Sequence, residues 1–563
     1  MVGTQARADA GRSRPSSRRH HVRRVAASVI AVVALVMLTA TACSNPDRSA
    51  GGTVFRIGET QAIDSLNPFV AEETISNTVF SMIYPSLVQI NPANQYIPNF
   101  ARSWEVSPNG KTWTFHTQSE AKWSDGTPLT AADAAWTLST IVKFQNGPTA
   151  NQGGFVAHLV SATAPNATTL VMQYTQPVAN VLNQLAFVVI LPQHIWATYA
   201  TGAGKALTTF ANAVPIVSGG PFSLTKYTPK QSALLERNAS FYGPKPHVGA
   251  VGLQFFGTDD AMITALENGK LDGVPGVAPT SVATLKSKHL VVESSPNSGF
   301  DDLTINNNPL QDASHRELVN PLLREAFDHA IDRPRIVQTS LLGHAELGSS
   351  IIPPVEGVWY NKQIQPTQFD LTKANQLLDQ AGYVMGSDHI RVAGGHKMSY
   401  TVIMPADTAG YGQRSFKIIA SDFAKIGVRL NPQNLDNSAA YSAISANKYA
   451  SFEMAMWGWS LGGVDPDDML SYLTCGQWGT AGDSGFCSKD WDKLYEQQAV
   501  TLDKAKRQAI VYQMQEIAAQ KRIYLVIDYP DVVSAHSEGW TDLPLNDGSW
   551  MNALSLESVR RSG

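Results

Sequence analysis

The sequence predicts an α/β fold divided into at least two lobes, and three observations carry that expectation. From about residue 320 onward, helical apolar periods alternate with short β-rich runs, the pattern of strand and helix units packed in layers. Once an export signal is set aside, about 520 residues remain, more than a single hydrophobic core serves before a chain divides. No second long apolar stretch follows that signal, so no transmembrane domain is expected.

Taken in order, the chain begins with an address. Arg7, Arg12, Arg14, Arg18, Arg19, Arg23 and Arg24 form a basic region. An uncharged apolar run over residues 25–40 follows, then the small residues Ala40-Thr41-Ala42 and Cys43. A basic start, a short apolar run and a small-residue cleavage site read as a signal peptide over residues 1–42. Ser17-Arg18-Arg19 is compatible with twin-arginine export, but arginines are common in such regions, so Sec export stays open.

Cys43, directly after Ala42, resembles the lipobox cysteine of bacterial lipoproteins, although Ala40 stands where that pattern carries Leu. The resemblance implies acylation of the Cys43 thiol; simple cleavage leaving a free thiol, or an uncleaved anchor, are the alternatives. Each buried acyl CH₂ contributes about 0.8 kcal/mol, so several chains hold a soluble body at the membrane. With Cys43 so used, Cys475 and Cys487 remain as a pair in an oxidising compartment, which favours a disulfide over two free thiols.

Charge excludes some partners. Residues 1–42 hold seven of the 43 basic and one of the 47 acidic residues, so the remainder carries 36 against 46, a net charge of −10. A body this acidic does not grip nucleic acid or an anionic bilayer through charge.

Residues 43–52 are small, polar and tether-like. Residues 53–57 alternate toward a strand, followed by the loop Gln61-Ala62-Ile63-Asp64-Ser65-Leu66-Asn67-Pro68. Residues 113–116 read as a strand. Thr130 and Asp133 have the spacing of a capping box and open a helix through Trp136 and Leu138. Strands follow near 169–174 and 222–227.

The spacing then predicts a helix over 322–331, with Leu323, Ala326, Phe327 and Ala330 on one face. Asp370 caps the next helix, whose Ala374, Leu377 and Leu378 share a face and which Gly382 stops. A strand over 400–404, a helix over 415–425 ended by Gly427, and strands over 428–430 and 452–457 come next. A long helix over 504–521 and a strand over 523–529 complete the chain.

Several of these segments together resemble the peptide-binding extracytoplasmic proteins of ABC importers, the dipeptide- and oligopeptide-binding type of solute-binding protein family 5. The resemblance rests on Ala101-Arg102-Ser103-Trp104-Glu105-Val106, Lys122-Trp123-Ser124-Asp125-Gly126-Thr127-Pro128, Gly219-Gly220-Pro221-Phe222 and Leu322-Leu323-Arg324-Glu325-Ala326-Phe327, with Cys475, Cys487 and Trp491-Asp492 following in family order. It implies a two-lobed periplasmic-binding-protein-like fold of type II, cluster C, with an extra subdomain inserted in lobe one. The implied bounds are 53–98, 215–300 and 525–563 for lobe one, 99–214 for the insertion and 301–524 for lobe two. It further implies a monomer that captures a small ligand, most often an oligopeptide or modified peptide, and delivers it to permease and ATPase subunits. No cofactor is implied.

By the same resemblance, Gly458 and Trp459 match a Gly-Trp pair that lies along the ligand, with Ser460 next on the loop. The family's amine-binding Asp position is Gly462 here, and its carboxylate-binding Arg position is Met456. Asp465 or Asp467 could supply the missing carboxylate; the alternative for Asp465-Pro466 is a turn. Trp459 is expected in the cleft and Trp457 in the core, on a strand whose side chains alternate. Across the cleft Gln61 is the candidate contact, with Asp64 or Ser65 as cap residues.

Rival readings are few. Gly458-Trp459-Ser460-Leu461-Gly462 fits G-x-S-x-G, which would make Ser460 a hydrolase nucleophile with His536 as base. Yet Gly463-Val464-Asp465-Pro466 is a poor helix start for that elbow, and no catalytic residue is assigned. A divergent member with an envelope or regulatory role in place of transport is the other alternative. Histidines are scattered with no metal-binding spacing, so no metal ligands are expected.

Overall fold

A computed structural model of the chain describes residues 52–562 except 309–312, 406–410, 462, 479–481 and the side chains of Ala313, Ser314 and Tyr411. The signal peptide, Cys43 and Gly462 therefore lie outside the described residues.

A mixed sheet of twelve strands runs through the molecule. Its order is Arg429–Leu435, Ser399–Pro405, Met454–Ser460, Gly299–Ile305, Tyr524–Ser537, Gly273–Val274, Val54–Glu59, Ala250–Phe255, Ser232–Arg237 and Phe222–Thr228. Leu290–Pro296 and Ala345–Leu347 also pair with Tyr524–Ser537. That strand is 14 residues long, where the sequence indicates only residues 523–529. Its Leu525 and Ile527 enter one core while Tyr524 and Val526 enter another. Both faces are buried there, which is why the segment reads as an unbroken apolar run.

The long strand also organises the two halves of the sheet. Its first part, from Tyr524 to Asp528, pairs antiparallel with Gly299–Ile305, and its second, from Asp531 to Ser537, with Leu290–Pro296. The chain thus passes twice, side by side, from one half to the other.

A separate four-stranded antiparallel sheet orders Ala101–Val106, Thr112–Thr117, Thr169–Tyr174 and Leu159–Asn166. Helix Ala131–Phe144 belongs to this unit and starts in the expected capping box: the Thr130 backbone N–H donates to Asp133 at 2.9 Å. Phe115, Trp123 and Leu170 of this region share one core with Phe55, Phe80 and Phe222 of the large sheet. Gly220 marks the joint. A Cβ there would stand 2.5 Å from the Met82 carbonyl oxygen, so only glycine fits.

The helices follow the sequence closely. Asp370 accepts from the Lys373 backbone N–H at 2.9 Å, and Gly382 takes a left-handed φ of 81°. Asp503 caps helix Lys504–Lys521 in the same way.

The expected disulfide is present between Cys475 and Cys487, and the Cys475 backbone N–H donates to Asp492 at 2.9 Å. Closing a loop of twelve residues' separation stabilises a fold by about 3 kcal/mol in the chain-entropy model. Unfolding of a Cys475→Ser/Cys487→Ser variant is expected to show a loss of that order. Identical denaturation midpoints for the variant and the parent would refute the estimate.

Candidate ligand-binding cleft

The strand Met454–Ser460 corrects one expectation. Residues two apart on a strand point the same way, so Trp457 and Trp459 share a face, their rings 6.5 Å apart edge to face. The Trp457 Nε1–H donates to the Asp483 carboxylate at 2.8 Å. Trp459, half-buried, packs on Tyr472 at 5.0 Å, on Tyr524 at 6.0 Å and on Phe300 at 6.5 Å. Its buried Nε1 has no hydrogen-bond partner among the described residues. Met456 points the opposite way, into the core with Leu303 and Ile527. An arginine at that position would place its stem among apolar side chains.

Beyond Ser460 the chain crosses toward the segments around residues 92–96 and 179–183. Gly463 takes φ 85°, and a Cβ on it would lie 2.4 Å from Asn183 Oδ1. The Val464 backbone N–H donates to that same oxygen at 3.4 Å. Nearby, Asn180 Nδ2 donates to Asp467 at 2.9 Å, and Asn94 Nδ2 donates to the Val355 carbonyl at 2.7 Å. The Ala179 N–H donates to the Ala499 carbonyl at 2.8 Å.

Two cavities flank this seam and share Val464. The larger, about 770 Å³, is walled by Tyr96, Glu356, Trp359, Asp465, Lys504 and Arg507. The smaller, about 260 Å³, has Gln89, Phe187, Leu461, Gly463, Asn546 and Asp547 in its wall. The larger volume lies within the usual range for small-ligand sites.

Charge in the larger cavity is unevenly satisfied. Asp465 forms a two-pronged ion pair with Arg507, at 2.7 and 2.6 Å, and both side chains are buried. The Arg507 guanidinium also lies 4.9 Å over the Trp359 ring. Asp467 accepts from Gln498 at 2.6 Å as well as from Asn180. Glu356 differs. It is only 5% exposed, yet neither carboxylate oxygen has a hydrogen-bond partner among the described residues.

Burial first, and then the nearby Asp547, Asp465 and Asp468, hold the Glu356 carboxyl well above the usual carboxylate range. Burial, then Asp467 and Asp465, push Asp468 up to about 7. The wall thus holds two acids, Glu356 and Asp465, and two bases, Lys504 and Arg507, of which Arg507 is committed to Asp465.

Of the residues singled out by sequence, Asp465 lines the larger cavity, but its carboxylate is already engaged by Arg507. Gln61, Gly458, Trp459 and Ser460 lie outside the walls of both. Gln61 is exposed and instead tethers helix Thr74–Ile83: its Oε1 accepts from the Ile75 N–H at 3.0 Å and its amide donates to Glu73. Asp64 serves the same helix, accepting from the Glu72 N–H at 2.8 Å and the Ser76 hydroxyl at 2.5 Å. The hydrolase geometry does not form. Ser460 ends a strand, the next helix starts only at Asp467, and His536 Nδ1 faces the Ser537 carbonyl at 3.0 Å.

Glu356 and Arg507 escaped the sequence reading. The signal for Glu356 was an acidic residue inside the Pro353-Pro354-Val355-Glu356-Gly357 loop; nothing in the sequence pairs Arg507 with Asp465.

Residues 95–480 match the bacterial extracellular solute-binding proteins, family 5 Middle, which is most of the chain. The chain belongs to that family. The glutathione-binding protein GsiB of Escherichia coli K12 is 24% identical over 485 residues, covering 85% of this chain and 89% of GsiB. The ABC transporter substrate-binding protein CtaP of Listeria monocytogenes superposes with a TM-score of 0.79 at 22% identity, covering 91% of this chain and 99% of CtaP. DppA of Helicobacter pylori, in complex with the peptide STSA, gives 0.73 at 22% identity over 91% and 98%. The fold is accordingly the two-lobed one, and the class is an extracytoplasmic solute-binding protein. No helix among the described residues is long and apolar enough to cross a membrane.

Proposed function

We propose that this chain is the lipid-anchored binding subunit of an ABC importer and that it captures a short or modified peptide bearing a free ammonium group. The observation that carries the ligand class is Glu356: a buried, unpartnered carboxylate in the wall of a 770 Å³ cavity. Ionisation there without a partner is strongly unfavourable, and a ligand cation supplies that partner. Membership of the family, the glutathione ligand of GsiB and the peptide bound to DppA support a peptide over other amines.

In this reading the lobes comprise 53–98, 215–300 and 525–563; the insertion 99–214; and 301–524. The paired crossings near residues 296–299 and 528–531 serve as the hinge. A ligand favours closure only through contacts that differ between open and closed states, and a group bridging Tyr96 and Glu356 would supply them. Acylated Cys43 holds the monomer at the outer face of the membrane, where permease and ATPase subunits receive the ligand.

Native mass spectrometry of the chain from residue 44 onward, purified without denaturant, tests the proposal. A discrete co-purifying peptide mass, and a melting temperature raised by free-amine peptides but not by N-acetylated ones, are expected. A protein carrying no small mass and unshifted by either peptide set would overturn it and favour a non-transport role.

A further inference from the structure

We propose a second site, for a divalent transition-metal ion of the zinc type, built by His315, Glu317 and His396 outside the walls of both cavities. Their nitrogen and oxygen atoms all lie within 4.8 Å of one another. His396 Nε2 is 2.9 Å and His315 Nδ1 3.5 Å from the same oxygen, Glu317 Oε1. Ligands about 2.05 Å from a tetrahedral zinc stand about 3.3 Å apart, so these two separations bracket the required spacing. The imidazole rings are 4.9 Å apart and perpendicular, so their edges converge rather than stack.

The surrounding groups orient the ligands. His315 Nε2 lies 2.5 Å from Glu453 Oε1, and the other Glu453 oxygen accepts the Thr401 backbone N–H. Glu453 thus holds the Nε2 edge of His315, which turns Nδ1 toward the Glu317 oxygen. A proton or a metal ion between Nδ1 and that oxygen satisfies both atoms. A histidine whose second nitrogen is bound by a carboxylate is the arrangement that fixes tautomer and ring angle at metal centres. The Tyr400 hydroxyl donates to Glu317 Oε1 at 2.8 Å and fixes the third ligand similarly.

The donor set of two imidazoles and one carboxylate suits zinc, and also nickel or copper, over calcium or magnesium. The histidine side chains are 23% and 30% exposed, which leaves a coordination position open to water. Glu453 immediately precedes strand Met454–Ser460, and neither it nor any of the three ligands lines either cavity. The site is thus independent of the peptide cleft. A bound ion would pin the turn Ala313–Val319 to strands His396–Lys397 and Ser399–Pro405. Sequence spacing hides it, because His315 and His396 belong to different elements.

Titration of the EDTA-treated full chain with zinc chloride, followed by calorimetry and thermal melting, tests the site. One ion per chain and a raised melting temperature are expected. His315→Ala or His396→Ala should weaken binding by at least about 100-fold. Glu453→Gln, which spares all three ligands, should weaken it about 10- to 100-fold. Cobalt(II) is the second probe, and should give tetrahedral visible bands that His396→Ala abolishes. Absence of binding, or binding unchanged in a His315→Ala/His396→Ala double variant of parental circular dichroism, would overturn the site and leave an imidazolium–carboxylate cluster.

Discussion

Glu356→Gln is expected to weaken binding of a free-amine peptide by about 30-fold or more while stabilising the unliganded protein at neutral pH. Truncating one partner of a buried charge pair typically costs about 2–5 kcal/mol of binding, and 1.4 kcal/mol is a factor of ten. The stability effect has the opposite sign for a physical reason. The Glu356 carboxyl, ordinarily near 4.5, is raised by burial and by Asp547, Asp465 and Asp468, so folding favours its protonated form. That contribution is fully present below about pH 4.5 and is lost as pH rises through the elevated folded value. Asp468, raised to about 7, adds a loss of the same sign between its ordinary 3.8 and neutrality.

A bound ammonium reverses the preference of Glu356, so peptide binding should expel a proton and tighten as pH rises. Calorimetry in two buffers of different ionisation enthalpy reads that proton directly. Binding heats that are the same in both buffers, together with unchanged affinity in the Gln variant, would assign the ligand ammonium to another group.

How far the sequence reached depended on the range of the interaction. Helix Lys504–Lys521, the Thr130/Asp133 capping box and the Asp370 cap were legible because periodicity and capping act within one or two turns. The strand ending in Ser537 was foreshortened, since only its apolar first part stands out from its neighbours. The tryptophans were misplaced by treating positions 457 and 459 as opposite faces. The cleft itself is long-range. Asp465 meets Arg507 across 42 residues, and Asn180 meets Asp467 across 287. Glu356 draws its importance from what surrounds it, and no local pattern records that. The missing family anchors at Gly462 and Met456 were visible in sequence; the carboxylate proposed to take over the first became visible only in the fold.

Arg507→Met should destabilise the protein by about 3–5 kcal/mol, the usual loss when one partner of a buried ion pair is removed. Asp465 is 5% exposed and gives both oxygens to Arg507, so the variant would leave it with only the Asp467 N–H at 3.0 Å among its described partners. Gln498 would lose its Arg507 contact as well, and Trp359 the guanidinium over its ring. The penalty belongs to the stranded anion more than to the lost attraction. A double variant, Asp465→Asn/Arg507→Met, should therefore recover most of the loss, because amide and thioether carry no charge to desolvate. Urea unfolding of the parent, both single variants and the double variant closes the cycle. A single-variant loss under about 0.5 kcal/mol, the range of ordinary surface substitutions, would mean that water reaches Asp465 in solution. In that case Asp465, and not only Glu356, would be available to a ligand cation.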